Sequence, residues 1–318
     1  NMSKKILVIG SGIAGISASR KLKSYGLETI IVDKGDFIGG RIATHIKEKE
    51  NNKFTFFHGA QFFTARSKNF NQLLKSEINK NYIKKYENFS PEGYRGFPTM
   101  RDFLNSISNE INVNQKTKVI GLFKNNKKIN VLFEHSSKED TFDAVISTLP
   151  APQNIDLMIK FPYLSKVLSS ASYDSCIALM LAFKSLPDTI PSYFDLSKNK
   201  VGILSWLASS KDKNCWTIHT NAIFSNENLI KDPSFIKDKI LNELPKIFKL
   251  SDHLISSQIV YSKLHFWKYA KVNNIAKGIQ IDPNYPIAIA GDFMEGSRVE
   301  SAFISGEKAA ELIFHRLN

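Results

Sequence analysis

The stretch KKILVIGSGIAGISASRKLKSYGLETIIVD, from Lys4 to Asp33, limits what this chain can become more than any other part of it. Ile6, Leu7, Val8 and Ile9 form a short apolar, β-branched run of the kind that fills a parallel strand buried on both faces. Gly10 and Gly12 follow at once, and Gly15 completes the spacing G-x-G-x-x-G. In that spacing the first two glycines allow a tight turn and close approach of a pyrophosphate, and the third lets the next helix pack against the strand. The helix presents its free N–H groups and the positive end of its dipole to the phosphates. Thr29 to Val32 predicts a second strand, and Asp33 stands at its end, where a carboxylate can accept hydrogen bonds from the hydroxyls of an adenosine ribose. An ordinary βαβ unit also uses glycines for packing. Strand, glycines, helix, strand and acid in register predict a dinucleotide site.

Composition narrows the setting. With 318 residues, 42% of them hydrophobic and 23 of them Phe, the chain has material for two domains and a sizeable core. No apolar run approaches the roughly 20 residues needed to span a bilayer, so no membrane segment is expected. Asn1 precedes Met2 and is set aside as a remnant, and the first strand follows so soon that a secretory signal is not expected. Two cysteines, Cys176 and Cys215, make neither a disulfide framework nor a metal cluster, and the expected location is a reducing cytoplasm. The formal net charge of +13 points to anionic ligands. Its pattern does not point to nucleic acid: only Arg20, Arg41, Arg66, Arg95, Arg101, Arg298 and Arg316 are arginines, and the lysines are scattered without interleaved stacking aromatics.

Beyond Asp33, Lys34 leads into Gly39, Gly40 and Arg41, a flexible cationic loop where the phosphates of a bound dinucleotide would lie; otherwise Arg41 is a solvated loop arginine. Residues 42–57 alternate around a polar turn, Glu48–Lys53, and predict a hairpin. In FFHGAQFFTARSKNF, residues 56–70, Gly59 and Ala60 permit close approach to a flat ligand, Gln61 supplies a donor and an acceptor, and the phenylalanines, Phe62 among them, can wall a pocket. The GxGxxG start, the acid ending strand two, GGR and GAQFFTAR together resemble the renalase-like FAD-dependent oxidoreductases, a branch of the flavin amine oxidase superfamily.

The rest of the chain extends that resemblance. Apolar spacing predicts helices over Asn69–Asn81 and Arg101–Ile111, and GYRGFPTM resembles the family's G-x-P-G-M turn with Thr99 where glycine is common. Lys118–Phe123 and Ile129–Glu134 flank the turn Asn125–Lys128, and in this superfamily a backbone at the position of Val119 contacts the adenine. Thr141 to Leu149 predicts one buried strand running into Thr148-Leu149-Pro150, and Pro150 to Gln153 matches the family's PAPQ. Cys176–Phe183, Val201–Ala208 and Cys215–Ala222 read as strands, Pro233 to Leu250 as a helix with Ile236, Ile240, Leu241 and Leu244 inward, and Ser257 to Ala270 as a further strand. Ile287–Ala290 predicts a strand delivering Gly291 and Asp292, and a long helix starts at Arg298 or Val299. These resemble the family's GD and VEGA ending, with Ser301 where glycine is usual.

The fold expected is α/β, a Rossmann-type FAD-binding domain interleaved with an α+β substrate domain built on a mostly antiparallel sheet. Residues 2–60, 112–152 and 271–318 are assigned to the first, and 61–111 and 153–270 to the second. The resemblance carries FAD contact, non-covalent, to Gly10, Ser11, Gly12, Ile13, Ala14 and Gly15, to Asp33 and Lys34, and to Gly40 and Arg41. It extends to Gly59, Ala60, Gln61 and Phe62, then to Val119, Thr148 and Pro150, and to Trp267 beside the ring. At the far end it takes in Gly291, Asp292 as the ribityl anchor, Arg298, Val299, Glu300 and Ala302. The helix N-terminus near Val299 would stabilise negative charge on the reduced ring; Glu300 serves there or is simply a helix-start acid.

Hydride transfer to a flavin asks the pocket chiefly to hold the donor carbon. In KLHFWKYA, His265, Trp267 and Tyr269 share one face of a strand and resemble the family's W-x-Y-A segment. Trp267 and Tyr269 would clamp a flat substrate or are core aromatics. His265 and His58 are the polar candidates, and Arg95 and Arg66 are candidate anchors for a phosphate or carboxylate. No metal site is expected. The resemblance implies an oxidase acting on a small molecule, misreduced 2- and 6-dihydro-NAD(P), with O2 as acceptor and hydrogen peroxide as product. An amine or apolar substrate is the alternative. A flavin-bound redox sensor is a third reading, left open by Phe57, Thr99 and Ser301 where relatives differ.

Overall fold

The computed structural model describes residues 3–86 and 92–318; the reading of Asn1 and Met2 lies outside them. The chain forms two compact units, residues 1–42, 62–172 and 272–318 in one and 43–61 and 173–271 in the other. The division differs from the assignment above at 62–111 and 153–172, which pack with the first unit, and at 43–60 and 271, which join the second. The hairpin explains the difference at 43–60: its apolar Phe56 and Phe54 pack with Met180, Ala182 and Cys215 of the second unit's own sheet.

The first unit is built on five parallel strands in the order Ile287–Ile289, Ala144–Ser147, Ile6–Ile9, Thr29–Val32, Asn112–Asn114. Ile6–Ile9 is buried at every position, as an apolar strand between helix layers must be. The order reverses between Ile6–Ile9 and Ala144–Ser147, and a crevice beyond the carboxyl ends of two strands at such a point is where this architecture binds ligands. Gly10 and Thr148 stand at those two ends, joined by Thr148 N–H and Thr148 Oγ1–H, which donate to the Ile9 carbonyl at 2.8 and 2.7 Å. The helix Ile13–Ser24 packs along Val299–Leu317, where Gly306 lets the backbones meet: a Cβ there would lie 2.2 Å from the Ala14 carbonyl oxygen.

The single strand expected over Thr141–Leu149 is two. Asp140–Phe142 pairs antiparallel with Lys128–Phe133, and Ala144–Ser147 enters the parallel sheet. Asp143 makes the break, its carboxylate accepting from Lys5 N–H at 2.7 Å and facing Lys128 Nζ at 3.0 Å. The strand Asn112–Asn114, at the sheet edge, is only three residues long with Val113 as its one apolar residue, and it was not foreseen.

The second unit is a five-stranded sheet in the order Tyr193–Asp195, Leu204–Ser209, Cys215–Thr220, Ser172–Phe183, Ile259–Asn274, with the first four antiparallel to one another. Ile177, Leu179, Leu181 and Phe183 face a helical layer through Ile236, Ile240, Leu244 and Phe248, and the alternate residues Met180 and Ala182 face the hairpin His45–Phe56. That hairpin turns more tightly than expected, on Glu50 and Asn51 alone, both at positive φ as a two-residue loop requires. The helix expected over Pro233–Leu250 is broken into Pro233–Leu241 and Leu244–Phe248. Pro245 has no N–H to donate and its ring would strike the carbonyl four residues back, so one continuous helix is excluded. Among the described residues no helix is long and apolar enough to cross a membrane.

Candidate functional site

In the first unit the glycine turn is shaped by close contacts that no side chain could share. Gly10 sits at φ +102°, and a Cβ built on it would lie 2.4 Å from Thr148 Oγ1. A Cβ on Gly15 would lie 2.0 Å from the Gly10 carbonyl oxygen. The helix that starts here has Gly12 as N-cap, no side-chain cap and no acid in its first turn, so its first N–H groups and its dipole are left for an anion. Ile13 and Ala14 of that turn are buried.

Asp33 is held rather than merely placed. Its Oδ2 accepts from Ser11 N–H at 2.8 Å and Ser11 Oγ–H at 2.6 Å, and its Oδ1 accepts from Gly35 N–H at 2.8 Å. An ionised carboxylate has about four acceptor sites, so this oriented group keeps capacity for a ribose hydroxyl. Lys34 beside it is exposed. Thr117 N–H donates to the Asp33 carbonyl at 2.8 Å, which brings the start of Val119–Asn125 to the same edge. Val119 is buried, and Pro150 caps the helix that begins at Ala151.

The loop of Gly39, Gly40 and Arg41 is held at its backbone, although Gly40 is exposed. Gly39 N–H donates to the Ser11 carbonyl at 3.2 Å, and residues 40–42 form a 3₁₀ turn. Arg41 meets Asp292 in a bidentate pair, Nη1 to Oδ2 at 2.7 Å and Nη2 to Oδ1 at 2.6 Å, with Asp292 buried. Ligand roles were expected for each residue separately; their union was not foreseen. Gly291, which delivers Asp292, is buried, as is Ala302 on the helix beyond.

Glu300 does more than start a helix. It is 1% exposed, and its Oε1 accepts from the N–H groups of Arg66 and Ser67, the first of these at 2.8 Å. Burial pushes its carboxyl up, but these two N–H groups and Arg298, 3.7 Å away, hold it below the usual range. Glu300 thereby fastens the segment after GAQFFTAR to the first turn of Val299–Leu317, so Arg66 contributes its backbone here while its side chain is exposed. Arg95 is buried under two rings, its guanidinium 4.5 Å from Phe62 and 5.0 Å from Tyr86, and burial lowers its pKa to about 10. Thr99 accepts from Asp102 N–H and the Asp102 carboxylate accepts from Thr99 N–H, a reciprocal cap that accounts for threonine in place of glycine.

In the second unit the strand Ile259–Asn274 brings His265 and Trp267 together, ring centroids 4.2 Å apart, and His58 packs on both at 4.9 and 5.3 Å. Trp267 Nε1–H donates to the His58 carbonyl at 2.9 Å, and His219 Nε2 lies 3.2 Å from the same oxygen. Gln61 aims its amide nitrogen at the Thr217 carbonyl and at His219, 3.5 Å from each. Gly59 and Ala60, between His58 and Gln61 in sequence, are half-buried. The Tyr269 ring packs against Tyr173, centroids 5.8 Å apart. His45, hydrogen-bonded to Tyr261 Oη at 3.1 Å, extends the group, and neither His45 nor His219 was foreseen. Desolvation, reinforced by His265, His45 and His219, lowers the His58 pKa to about 3; desolvation lowers His219 to about 4 and lowers His265 too. These imidazoles are neutral at pH 7. Burial pushes both thiols, Cys176 and Cys215, up to about 12, so neither is a nucleophile.

Residues 8–76 match the family model of the NAD(P)-binding Rossmann-like domain. A 1-hydroxycarotenoid 3,4-desaturase of Flavobacterium sp. (strain P99-3) is 38% identical over 85 residues, which is 26% of this chain and 17% of that protein. The chain spans well under a fifth of the length of the curated relatives it matches. Among solved structures, cyclohexylamine oxidase from Brevibacterium oxydans IH-35A superimposes with a TM-score of 0.72 at 11% identity, covering 99% of each chain. A redesigned putrescine oxidase does so with a TM-score of 0.70 at 12% identity, again over 99% of each chain. A local sequence match at the glycine turn and a whole-chain likeness of structure agree: this chain has a mixed α/β fold like those of the two oxidase structures, with a Rossmann-like NAD(P)-binding domain matched over residues 8–76.

Proposed function

We propose that the chain is an FAD-dependent oxidoreductase with a small-molecule substrate, and that FAD is held non-covalently by the first unit. The carrying observation is the Ser11–Asp33 contact beside an uncapped helix start, because it prepares a ribose acceptor and a phosphate cradle on one turn. The fit extends to Gly10 and Gly15, where a Cβ would fill the turn, and to Arg41 on the 3₁₀ turn whose Gly40 lies against Gly12. Bound there, FAD would supply hydride acceptance. Asp33 would hold the adenosine ribose, the first turn of Ile13–Ser24 and Arg41 the diphosphate, and Asp292 the ribityl hydroxyls. Glu300 keeps the start of Val299–Leu317 in register by bonding Arg66 and Ser67. Acid denaturation should release a yellow chromophore; colour that stays with the precipitate would refute non-covalent binding.

For the substrate we propose a misreduced dihydronicotinamide dinucleotide, with O2 as acceptor and hydrogen peroxide as product. What supports this is the joint match of GAQFFTAR, PAPQ, W-x-Y-A and GD with VE, together with the chemistry of the second unit. Among the described residues, the groups acting on His58 are three imidazoles and the cation Lys263, a set with no carboxylate to pair a buried ammonium. His58, His265 and Trp267 are proposed to hold that ring, with Tyr269 in support. Anaerobic mixing with 2- and 6-dihydro-NAD should bleach the flavin, and no bleaching with either isomer would remove this substrate. An amine is the second reading, favoured by the likeness to cyclohexylamine and putrescine oxidases. Peroxide release from a panel of amines would select it.

A further inference from the structure

Arg41 and Asp292 are each expected to meet a different part of one ligand, yet they grip each other. The grip is strong in kind: two parallel charge-assisted hydrogen bonds of 2.7 and 2.6 Å, with the Asp292 side chain only 8% exposed and that of Arg41 29% exposed. A carboxylate this buried cannot lose its cation without a replacement, since an unpaired buried charge is far costlier than a pair. The loop carrying Arg41 is also fixed at its backbone, through Gly39 and Ser11 at 3.2 Å, so the guanidinium is tied at both ends. A diphosphate arriving alone competes with Asp292 for Arg41, and if it wins it leaves the carboxylate unpaired beside a new negative charge.

We propose that the Arg41–Asp292 pair is a selectivity device, exchanged only by a ligand that replaces both partners at once. Resting on the FAD reading above, the exchange runs as follows. The diphosphate takes the place of the carboxylate on Arg41, and a hydroxyl of the ligand's polyol chain donates to Asp292 in place of the guanidinium. A ligand with a diphosphate but no polyol satisfies only one side. The pair therefore acts against nucleoside diphosphates and mononucleotides by leaving a buried carboxylate unpaired, which is discrimination by an unmet partner rather than by a clash.

The test compares ADP, which has the diphosphate and lacks the polyol, with FAD, using full-length protein freed of flavin and titrated calorimetrically. In Asp292→Asn the competitor for Arg41 loses its charge, so ADP should bind about tenfold tighter. FAD should bind about tenfold more weakly, because its hydroxyl loses a charged acceptor. Asp292→Ser should shift both ligands in the same two directions. A merely structural role for Asp292 would weaken both ligands together, and that result, or ADP affinity unchanged in both variants, would overturn the proposal while leaving FAD as cofactor. Failure of FAD to bind any form, wild type included, would instead overturn the cofactor reading. Tighter ADP binding in the variants would then still support competition at Arg41.

Discussion

The buried His58 makes the stability of the second unit depend on pH in a way that can be isolated. Its folded pKa, about 3, lies below the ordinary value of 6.5 because burial and three neighbouring imidazoles oppose its charge. The unfolded chain therefore binds a proton that the folded chain refuses, and stability falls as pH drops through 6.5 and levels off below 3. Between pH 7 and pH 5 the loss from this one group is about 2 kcal/mol, from 1.36 kcal/mol per pH unit across the 1.5 units below 6.5. At 8% exposure His58 has little solvent to screen that effect. His219, lowered to about 4 by desolvation, adds a loss of similar size over the same interval. Other groups that titrate in this range, carboxylates above all, contribute too, so the wild type alone does not isolate the term. His58→Phe keeps a ring of similar size on Trp267 and His265 and removes the titration. Urea unfolding of both proteins at pH 7 and pH 5 should show the wild type losing about 2 kcal/mol more than the variant over that interval. Equal losses would refute the assignment of a neutral, acid-resistant His58, whatever the variant's stability at pH 7.

Three further outcomes follow from the first unit. Gly15→Ala would force a methyl to within 2.0 Å of the Gly10 carbonyl oxygen, so the turn or the helix must move; flavin content should fall below a tenth of wild type and stability by about 3 kcal/mol, read by absorbance and melting. Arg41→Ala should destabilise the flavin-free protein by about 3 kcal/mol by stranding buried Asp292, and Arg41→Ala combined with Asp292→Asn should recover much of it in denaturant titrations. Thr99→Ala removes a reciprocal cap and should cost about 1 kcal/mol while leaving flavin content unchanged, which separates its role from cofactor binding.

What could be read from the sequence was what depends on neighbours along it. The strand Ile6–Ile9, the glycine turn and the strand Thr29–Val32 fall at their expected residues, because a buried strand and a GxGxxG turn are written within 30 positions. Where a local rule was overlooked, the reading failed: Pro245 inside Pro233–Leu250 already forbade one helix, and Asp143 inside Thr141–Leu149 already disfavoured one strand. A different kind of miss has no local signal. Arg41 and Asp292 are 251 positions apart, Arg66 and Glu300 are 234, and His58 and His219 are 161. No periodicity links such residues; only the strand order that sets Ile287–Ile289 beside Ala144–Ser147, and Cys215–Thr220 beside Ser172–Phe183, brings them near their partners. Those distant unions are also where the charges are settled. A motif can announce an arginine for phosphate and an aspartate for a hydroxyl, but whether each stands ready or is already engaged is decided by the fold. For Arg41 and Asp292 the fold engages them with each other, and ligand affinity is then a difference between two pairings rather than the strength of either.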